Sequence, residues 1–275
     1  RNNKEVFLDG QYFPDLMVQE AKQVIEKKSE KPFFIFFSMN TPHYPYQGYA
    51  KWIQYYRDKG VASPRDLYAA FLTTQDEKIG ELIALLEEND LREDTIIIFQ
   101  SDNGHSTETR AYHGGGYTGL YRGAKQCLFE GGIRVPASIS WPGKIPANQF
   151  RDQMSVNVDW MPTLIELCGF DTDTSMMDGQ SLMPIIINKK APSNHEQGYC
   201  WEFIRRGVPT WVARKGKWKL YANPYDTSRR DYTYFEKFVL FDLENDPGES
   251  FNLYDKEPQV VAELKTLYKT WKNKQ

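Results

Sequence analysis

An excess of positive charge is missing. The 275 residues carry 34 Lys and Arg against 37 Asp and Glu, a formal net charge of -3. A general nucleic-acid binder shows a basic balance or a basic stripe, so that class is set aside. Long apolar runs are missing too. No stretch approaches the roughly 18 residues that a membrane-spanning helix needs. Cysteine is scarce: Cys127, Cys168 and Cys200 are three, an odd count. Their spacing makes neither a disulfide framework nor a zinc site, and buried free thiols are the expectation. There is no internal repeat, no low-complexity segment and no visible signal peptide. The first residue is Arg1 rather than Met. The expectation is therefore a processed product or a fragment.

What is present is a substantial core. Hydrophobic residues make up 40% and aromatics 15%, which excludes a disordered chain. Apolar positions from Leu16 to Ile25 recur at helical spacing, so a helix is expected over 15–28 with Asp15 as its cap. Phe33 to Phe37 is a continuous apolar run of strand length, expected to be buried on both faces. The aromatic stretch 46–65 reads as a surface excursion, either a sugar-stacking wall or a small satellite core. A long helix is expected over 66–89, with Leu67, Phe71, Ile79, Leu82, Ile83 and Leu86 as its apolar stripe. The strand Thr95 to Phe99 follows. Helix, strand, long helix, strand argues for a parallel sheet with helical crossovers. A short strand over 137–141 and a helix over 156–169 come next, the helix with Asp159 as N-cap and Gly169 beyond its end. Beyond the turn-rich 170–195, short strands at 199–203, 210–214, 218–221 and 238–242 fit an antiparallel sheet. A final amphipathic helix is expected over 257–271. The domain reading is 1–192 and 193–275.

The chemistry concentrates between Thr95 and Pro136. A β-branched strand breaks into Ser101-Asp102-Asn103-Gly104-His105, and ligands of open α/β sheets bind at such strand ends. Asp102 and Asn103 carry the oxygen donors that a hard cation takes, although Asp-Asn-Gly is also a common turn. Lys125 lies 22 residues beyond Asn103 in the sequence. Beside a metal, a lysine binds a tetrahedral oxyanion as a point charge; a solvated surface lysine is the alternative. The Gly131-Gly132 pair permits close backbone approach, and Glu130 with Arg134 suits a brace for the loop. His43 stands between Pro42 and Pro45, which fix the backbone around it.

These pieces, in this order, resemble a known family. Lys31-Pro32-Phe33-Phe34 leads to Pro42-His43-Tyr44-Pro45. Then come Ser101-Asp102-Asn103-Gly104, Lys125, and Glu130-Gly131-Gly132-Ile133-Arg134-Val135-Pro136. Asp159-Trp160-Met161-Pro162-Thr163-Leu164 and Asp242 to Glu249, with Asn252-Leu253, complete the set. Nearly the whole chain resembles the C-terminal half of the formylglycine-dependent (type I) sulfatases, within the alkaline-phosphatase-like superfamily. The resemblance implies a mostly parallel α/β sheet flanked by helices, plus a small C-terminal antiparallel sheet with a terminal helix. It implies that Asp102 and Asn103 are two ligands of a Ca²⁺ ion. His43 would contact the sulfate ester and protonate the leaving alcohol, and Lys125 would bind the sulfate oxygens. Sulfate ester cleavage needs charge neutralised on those oxygens and help for the leaving one. His105 and His113 match no fixed position of the family; they either line the substrate pocket or have no role in it.

One departure matters. The family's formylglycine comes from a Cys/Ser-x-Pro/Ala-x-Arg motif, and neither the three cysteines nor any serine here fits it. The paired aspartates that give the family further metal ligands are absent as well. The expectation is a chain that begins partway through the catalytic domain, lacks the nucleophile, and is inactive alone without the missing N-terminal half. Its parent would be a sulfuric ester hydrolase acting on a sulfated carbohydrate in the periplasm or outside the cell. A phosphoric or phosphonic ester hydrolase of the same superfamily, or a non-catalytic glycan-binding fragment, are the alternatives.

Overall fold

The computed structural model describes residues 2–27, 29–205, 207–229 and 237–274. The chain divides into two compact units, Arg1–Ile97 with His105–Tyr117 and Ile98–Gly104 with Thr118–Gln275.

The first unit is helical. Helix α1 spans Phe13–Ile25 and buries Val18, Ala21 and Ile25. It starts two residues before the expected 15, and Lys28, in the expected end, lies outside the described residues. Asp15 does not cap it. Its carboxylate instead accepts the Tyr49 hydroxyl at 2.5 Å and meets Lys78 Nζ at 2.8 Å. Helix α2, Ala50–Asp58, forms where a surface excursion was expected. Its aromatic residues are held to α3, Arg65–Glu88, by polar tips: Trp52 Nε1 donates to Glu77 at 2.7 Å, and Tyr56 bonds Thr73 at 2.7 Å. Both rings are half-buried, and no residue of α2 is fully buried.

Helix α3 differs from its expected stripe. Phe71 and Leu86 are buried, but the rest of the fully buried face is Asp66, Ala70, Thr74 and Lys78, one residue per turn. The reason is the neighbour on that side. Residue 48 crosses so closely that a Cβ there would sit 2.6 Å from the Ala70 carbonyl carbon. Small and pairable groups fit such a crossing, and the polar ones are satisfied. Tyr49 N–H donates to Thr74 Oγ1 at 2.9 Å, Lys78 meets Asp15 and Glu81, and Asp66 meets Arg57.

The run Phe33–Phe37 forms no strand, against expectation. Buried strand backbone must pair, and no ladder reaches this stretch among the described residues. Burial alternates along it: Phe34 and Phe36 are 79% and 83% exposed, while Phe33, Ile35 and Phe37 are half-buried.

In the second unit, which takes all of β1 (Ile97–Gln100) but its first residue, β1 pairs with β2 (Ala137–Ser140). These two alone represent the expected larger sheet among the described residues. Strand β1 is half-buried with Phe99 exposed, rather than covered on both faces. A short helical turn, α4, spans Glu130–Ile133. Helices α5 (Trp160–Leu167) and α6 (Met183–Ile187) follow, and Gly169 takes the expected left-handed φ of 67° just past α5. The C-terminal strands form as expected: β3 (Tyr199–Arg205), β4 (Val208–Lys215), β5 (Trp218–Ala222) and β6 (Phe238–Asp242). They make one antiparallel sheet in sequence order, with Val212 opposite Tyr221 and Leu220 opposite Leu240.

That sheet is covered on both faces. On one lies α7, Pro258–Lys272, whose Val261 and Leu264 pack with Cys200, Ala213, Leu220 and Leu240. On the other, Val212, Tyr221, Val239 and Phe241 pack with Cys127, Leu128 and Phe129. The loop that carries Lys125 thus ends in three residues buried against the C-terminal sheet. No described helix is long and apolar enough to cross a membrane.

Candidate active site

The corner after β1 is built tightly. Ser101 N–H donates to the Pro136 carbonyl at 3.2 Å, which ties the corner to the start of β2. Asn103 N–H donates to Asp102 Oδ1 at 2.9 Å, and Gly104 N–H donates to the Gly132 carbonyl at 2.9 Å. A Cβ on residue 104 would stand 2.0 Å from the Gly131 oxygen, so only glycine fits this approach. Trp160 Nε1 donates to Gln100 Oε1 beneath the corner. Asp102 is exposed and Asn103 half-exposed.

Lys125 lies on a loop pinned on either side. Arg122 Nε donates to Asp226 at 2.8 Å and its Nη1 to the Glu249 carbonyl at 2.9 Å. The Ala124 carbonyl accepts Thr227 Oγ1 at 3.1 Å. Gly131 N–H donates back to the Arg122 carbonyl at 2.6 Å, and a Cβ at 131 would lie 2.4 Å from the Gly123 oxygen. Lys125 itself is half-buried, and its ammonium has no hydrogen bond or ion pair among the described residues. The α4 turn is therefore wedged between the Asp102–Gly104 corner and the Lys125 loop. Asp102, Asn103 and Lys125 share one frame.

The expected Glu130–Arg134 brace is present at 3.4 Å, but a nearer partner went unforeseen. Lys219 Nζ is 2.5 Å from Glu130 Oε1, with Lys219 wholly buried. Burial alone would raise the Glu130 pKa; the charges of Lys219 and Arg214 outweigh it and hold the carboxyl below its ordinary range. A second unforeseen pair joins His195 Nε2 and Asp159 Oδ2 at 2.9 Å, both buried. Asp159 stands at the N-cap position of α5 as expected, but its side chain makes no cap bond there; it accepts the amides of Val156 and Gln180 and faces that histidine.

The three other histidines belong to the first unit. His43 is exposed, and its Nδ1 lies 2.8 Å from the Tyr44 carbonyl. A carbonyl only accepts, so Nδ1 carries a hydrogen and Nε2 is left for other chemistry. The His43 and Tyr44 rings are 4.9 Å apart, and Arg110 lies over the Tyr44 ring at 4.6 Å. This brings the loop around Arg110 to the loop that bears His43. His105 is half-buried, packed by Gly116, where a Cβ would stand 2.4 Å from its ring Cγ. Its Nδ1 is buried without a hydrogen-bond partner among the described residues. Burial, and then the Arg65 charge, lower its pKa, so the neutral ring is favoured at pH 7. His113 is exposed with a φ of 63°, and its ring has no hydrogen bond among the described residues.

Asp102 and Asn103 fit a hard cation by donor type. They do not complete a shell of about six to eight oxygens. Among the described residues, no cluster of three or more His, Cys, Asp or Glu would hold a metal. As for thiols, Cys127 and Cys200 are buried and Cys168 is exposed. Burial pushes the Cys200 thiol up to about 12.

Comparison with known proteins decides the family. Residues 1–170 match the sulfatase family. This chain belongs to it. Residues 116–274 of this sulfatase-family chain also match the family described as N-sulphoglucosamine sulphohydrolase, C-terminal. Human steryl-sulfatase is 34% identical over 273 residues, 90% of this chain and 45% of that protein. Human arylsulfatase A is 30% identical over 272 residues, 92% of this chain and 50% of that protein. The chain thus spans about half the length of the curated relatives it matches. The crystal structure of Ps i-CgsB in complex with k-i-k-neocarrahexaose superposes with a TM-score of 0.83 at 24% identity, over 98% of this chain and 56% of that one. That likeness shows the alkaline-phosphatase-like sulfatase fold.

Proposed function

We propose that this chain is part of a sulfatase that hydrolyses sulfate monoesters of a carbohydrate. The observation that carries the reading is the shared frame: an ammonium at Lys125 without a partner among the described residues and oxygen donors at Asp102 and Asn103, linked through Gly104, Gly132 and Gly131. Lys125 binds and orients the sulfate oxygens and offsets their charge. Asp102 and Asn103 contribute ligands to a Ca²⁺ ion whose remaining ligands come from elsewhere in the protein. When bound, that ion would offset charge on the sulfate, and a formylglycine outside this chain would supply the nucleophile. No cysteine of this chain lies in a motif from which formylglycine is made. In its imidazolium form, with Nδ1–H held by the Tyr44 carbonyl, His43 donates the Nε2 proton to the ester oxygen as its bond to sulfur breaks. The exposed aromatic and histidine side chains of the first unit suit a sugar, which stacks on rings and hydrogen-bonds at its edges.

The test uses the full-length protein on an aryl sulfate and its aryl phosphate counterpart, with and without a calcium chelator. Preferred cleavage of the sulfate ester, lost on chelation and on Lys125→Ala, is expected. Faster phosphate cleavage would instead make the protein a phosphoric ester hydrolase of the same superfamily.

A further inference from the structure

Four ionisable side chains lie together inside the second unit: Glu130, Lys219, Tyr221 and Glu249, each at most 2% exposed in its side chain or as a whole residue. Lys219 Nζ stands between the carboxylates, 2.5 Å from Glu130 Oε1 and 3.3 Å from Glu249 Oε1. Glu249 Oε2 accepts the backbone N–H of Glu130 at 2.8 Å. Tyr221 donates to Glu249 and lies 3.1 Å from the Leu128 carbonyl. The two carboxyls are shifted in opposite senses. Lys219 and Arg214 hold Glu130 low against its burial, whereas burial, helped by the Glu130 charge, raises Glu249. A buried charge cluster costs a large desolvation penalty, and hydrophobic residues of similar size would serve the core as well. Its geometry serves something else. Every partner reaches into the segment 128–130, directly between the Lys125 loop and the α4 turn.

We propose that Lys219 and Glu249 are positioning residues for the oxyanion site. Through Glu130 they seat the α4 turn, and that turn sets the spacing between Lys125 and the Asp102–Asn103 corner. The path is a series of short contacts. Lys219 and Glu249 grip Glu130 by its carboxylate and its amide. Gly131 N–H bonds Arg122 O on the Lys125 side, and Gly132 O accepts Gly104 N–H on the Asp102 side. Glycine contacts of 2.0 and 2.4 Å, measured to the Cβ each would carry, leave this path no slack. The C-terminal sheet is then more than a cover: β5 delivers Lys219 and Tyr221 on either side of Leu220, and its register fixes where α4 sits. This rests on the proposed sulfatase reading only for what the positioned groups do, not for the positioning itself.

Removing Lys219 alone would strand the buried Glu130 charge and endanger folding, so the informative variant is the double Glu130→Gln/Lys219→Met, with Glu249→Gln beside it. Each is made in the full-length protein. Two readouts are taken. Amide exchange of peptides containing Gly104 and Gly131 is expected to quicken at least about tenfold, while α7 keeps its protection. The kcat/KM for sulfate ester is expected to fall about 10²-fold, the scale of a small misplacement. The loss should shrink to near nothing in a Lys125→Ala background, because both changes act through one group. Unchanged exchange at Gly104, or losses that simply multiply with Lys125→Ala, would overturn the positioning role. If exchange quickens but no sulfate ester is ever turned over, the positioning stands and the sulfatase reading falls.

Discussion

At the residue scale, the candidate groups differ in how far they are committed. Lys125 is uncommitted among the described residues, while Lys219, two residues past the turn that opens β5, is wholly buried between two glutamates. His43 gives its Nδ1 to Tyr44 and keeps Nε2 free. If Nε2 protonates the leaving oxygen, the need for it grows with the basicity of that oxygen. His43→Ala in the full-length protein should slow a sugar or alkyl sulfate by about 10²–10⁴-fold. It should slow a nitrophenyl sulfate, whose leaving group departs unaided, far less. Equal losses on both substrates would leave His43 a binding residue only. The thiols allow a second check. Cys200 is buried and its thiol is pushed up to about 12, and Cys127 is buried with its sulfur against Ala124. Thiolate is the reactive form, so native labelling with iodoacetamide near pH 8 should modify Cys168 and spare the other two. Mass spectrometry of the peptides reads this directly; rapid labelling of Cys200 would contradict its burial.

At the scale of elements, sequence patterns were most informative where local rules operate alone. Strands β3 to β6 and helix α7 were legible because turn residues separate short alternating runs, and pairing partners follow one another in sequence. The corner at Asp102 was legible for the same reason. The run 33–37 was not, because an apolar run becomes a strand only beside a ladder, and periodicity does not say where the ladder is. The buried face of α3 was also missed. Asp66 and Lys78 lie off the expected apolar stripe, and partners distant from that pattern make them interior: Arg57 and Ser63 for Asp66, Asp15 and Glu81 for Lys78. Lys219 was hidden likewise: its partners are 89 and 30 residues away in sequence.

The charged face of α3 also predicts how the first unit responds to acid. Burial works to raise the Asp66 pKa, but hydrogen bonds from Ser63 and Arg57 and from the Leu67 amide outweigh it, and the pKa is lowered. Asp15 is lowered as well, its burial outweighed by Lys78 and Tyr49. A carboxyl with a lowered folded pKa adds stability above its unfolded pKa and loses it as pH falls through the folded one. Thermal stability should therefore drop as pH falls from about 5. Asp66→Asn should lower the melting temperature at pH 7 and flatten that acid-side slope. A variant as acid-sensitive as the parent would show that Asp66 does not contribute to it.

At the scale of the whole molecule, covered and uncovered apolar surfaces stand in contrast. The C-terminal sheet is covered on both faces, with Leu220, Leu240 and Val212 fully buried. Phe34 and Phe36 protrude from a stretch with no ladder among the described residues, 79% and 83% exposed, in the segment that leads to His43. Exposed rings this large and this close together form an apolar patch of the sort that binds dyes and promotes association. The 275-residue chain, prepared alone, should bind a hydrophobic dye and self-associate with rising concentration. Phe34→Ser/Phe36→Ser should weaken both effects and leave the unfolding free energy within about 0.5 kcal/mol of the parent's, since exposed side chains add little to it. The opposite result is equally readable. If the double variant unfolds the chain, the two rings are buried in solution, and the run 33–37 has found the ladder that its sequence led one to expect.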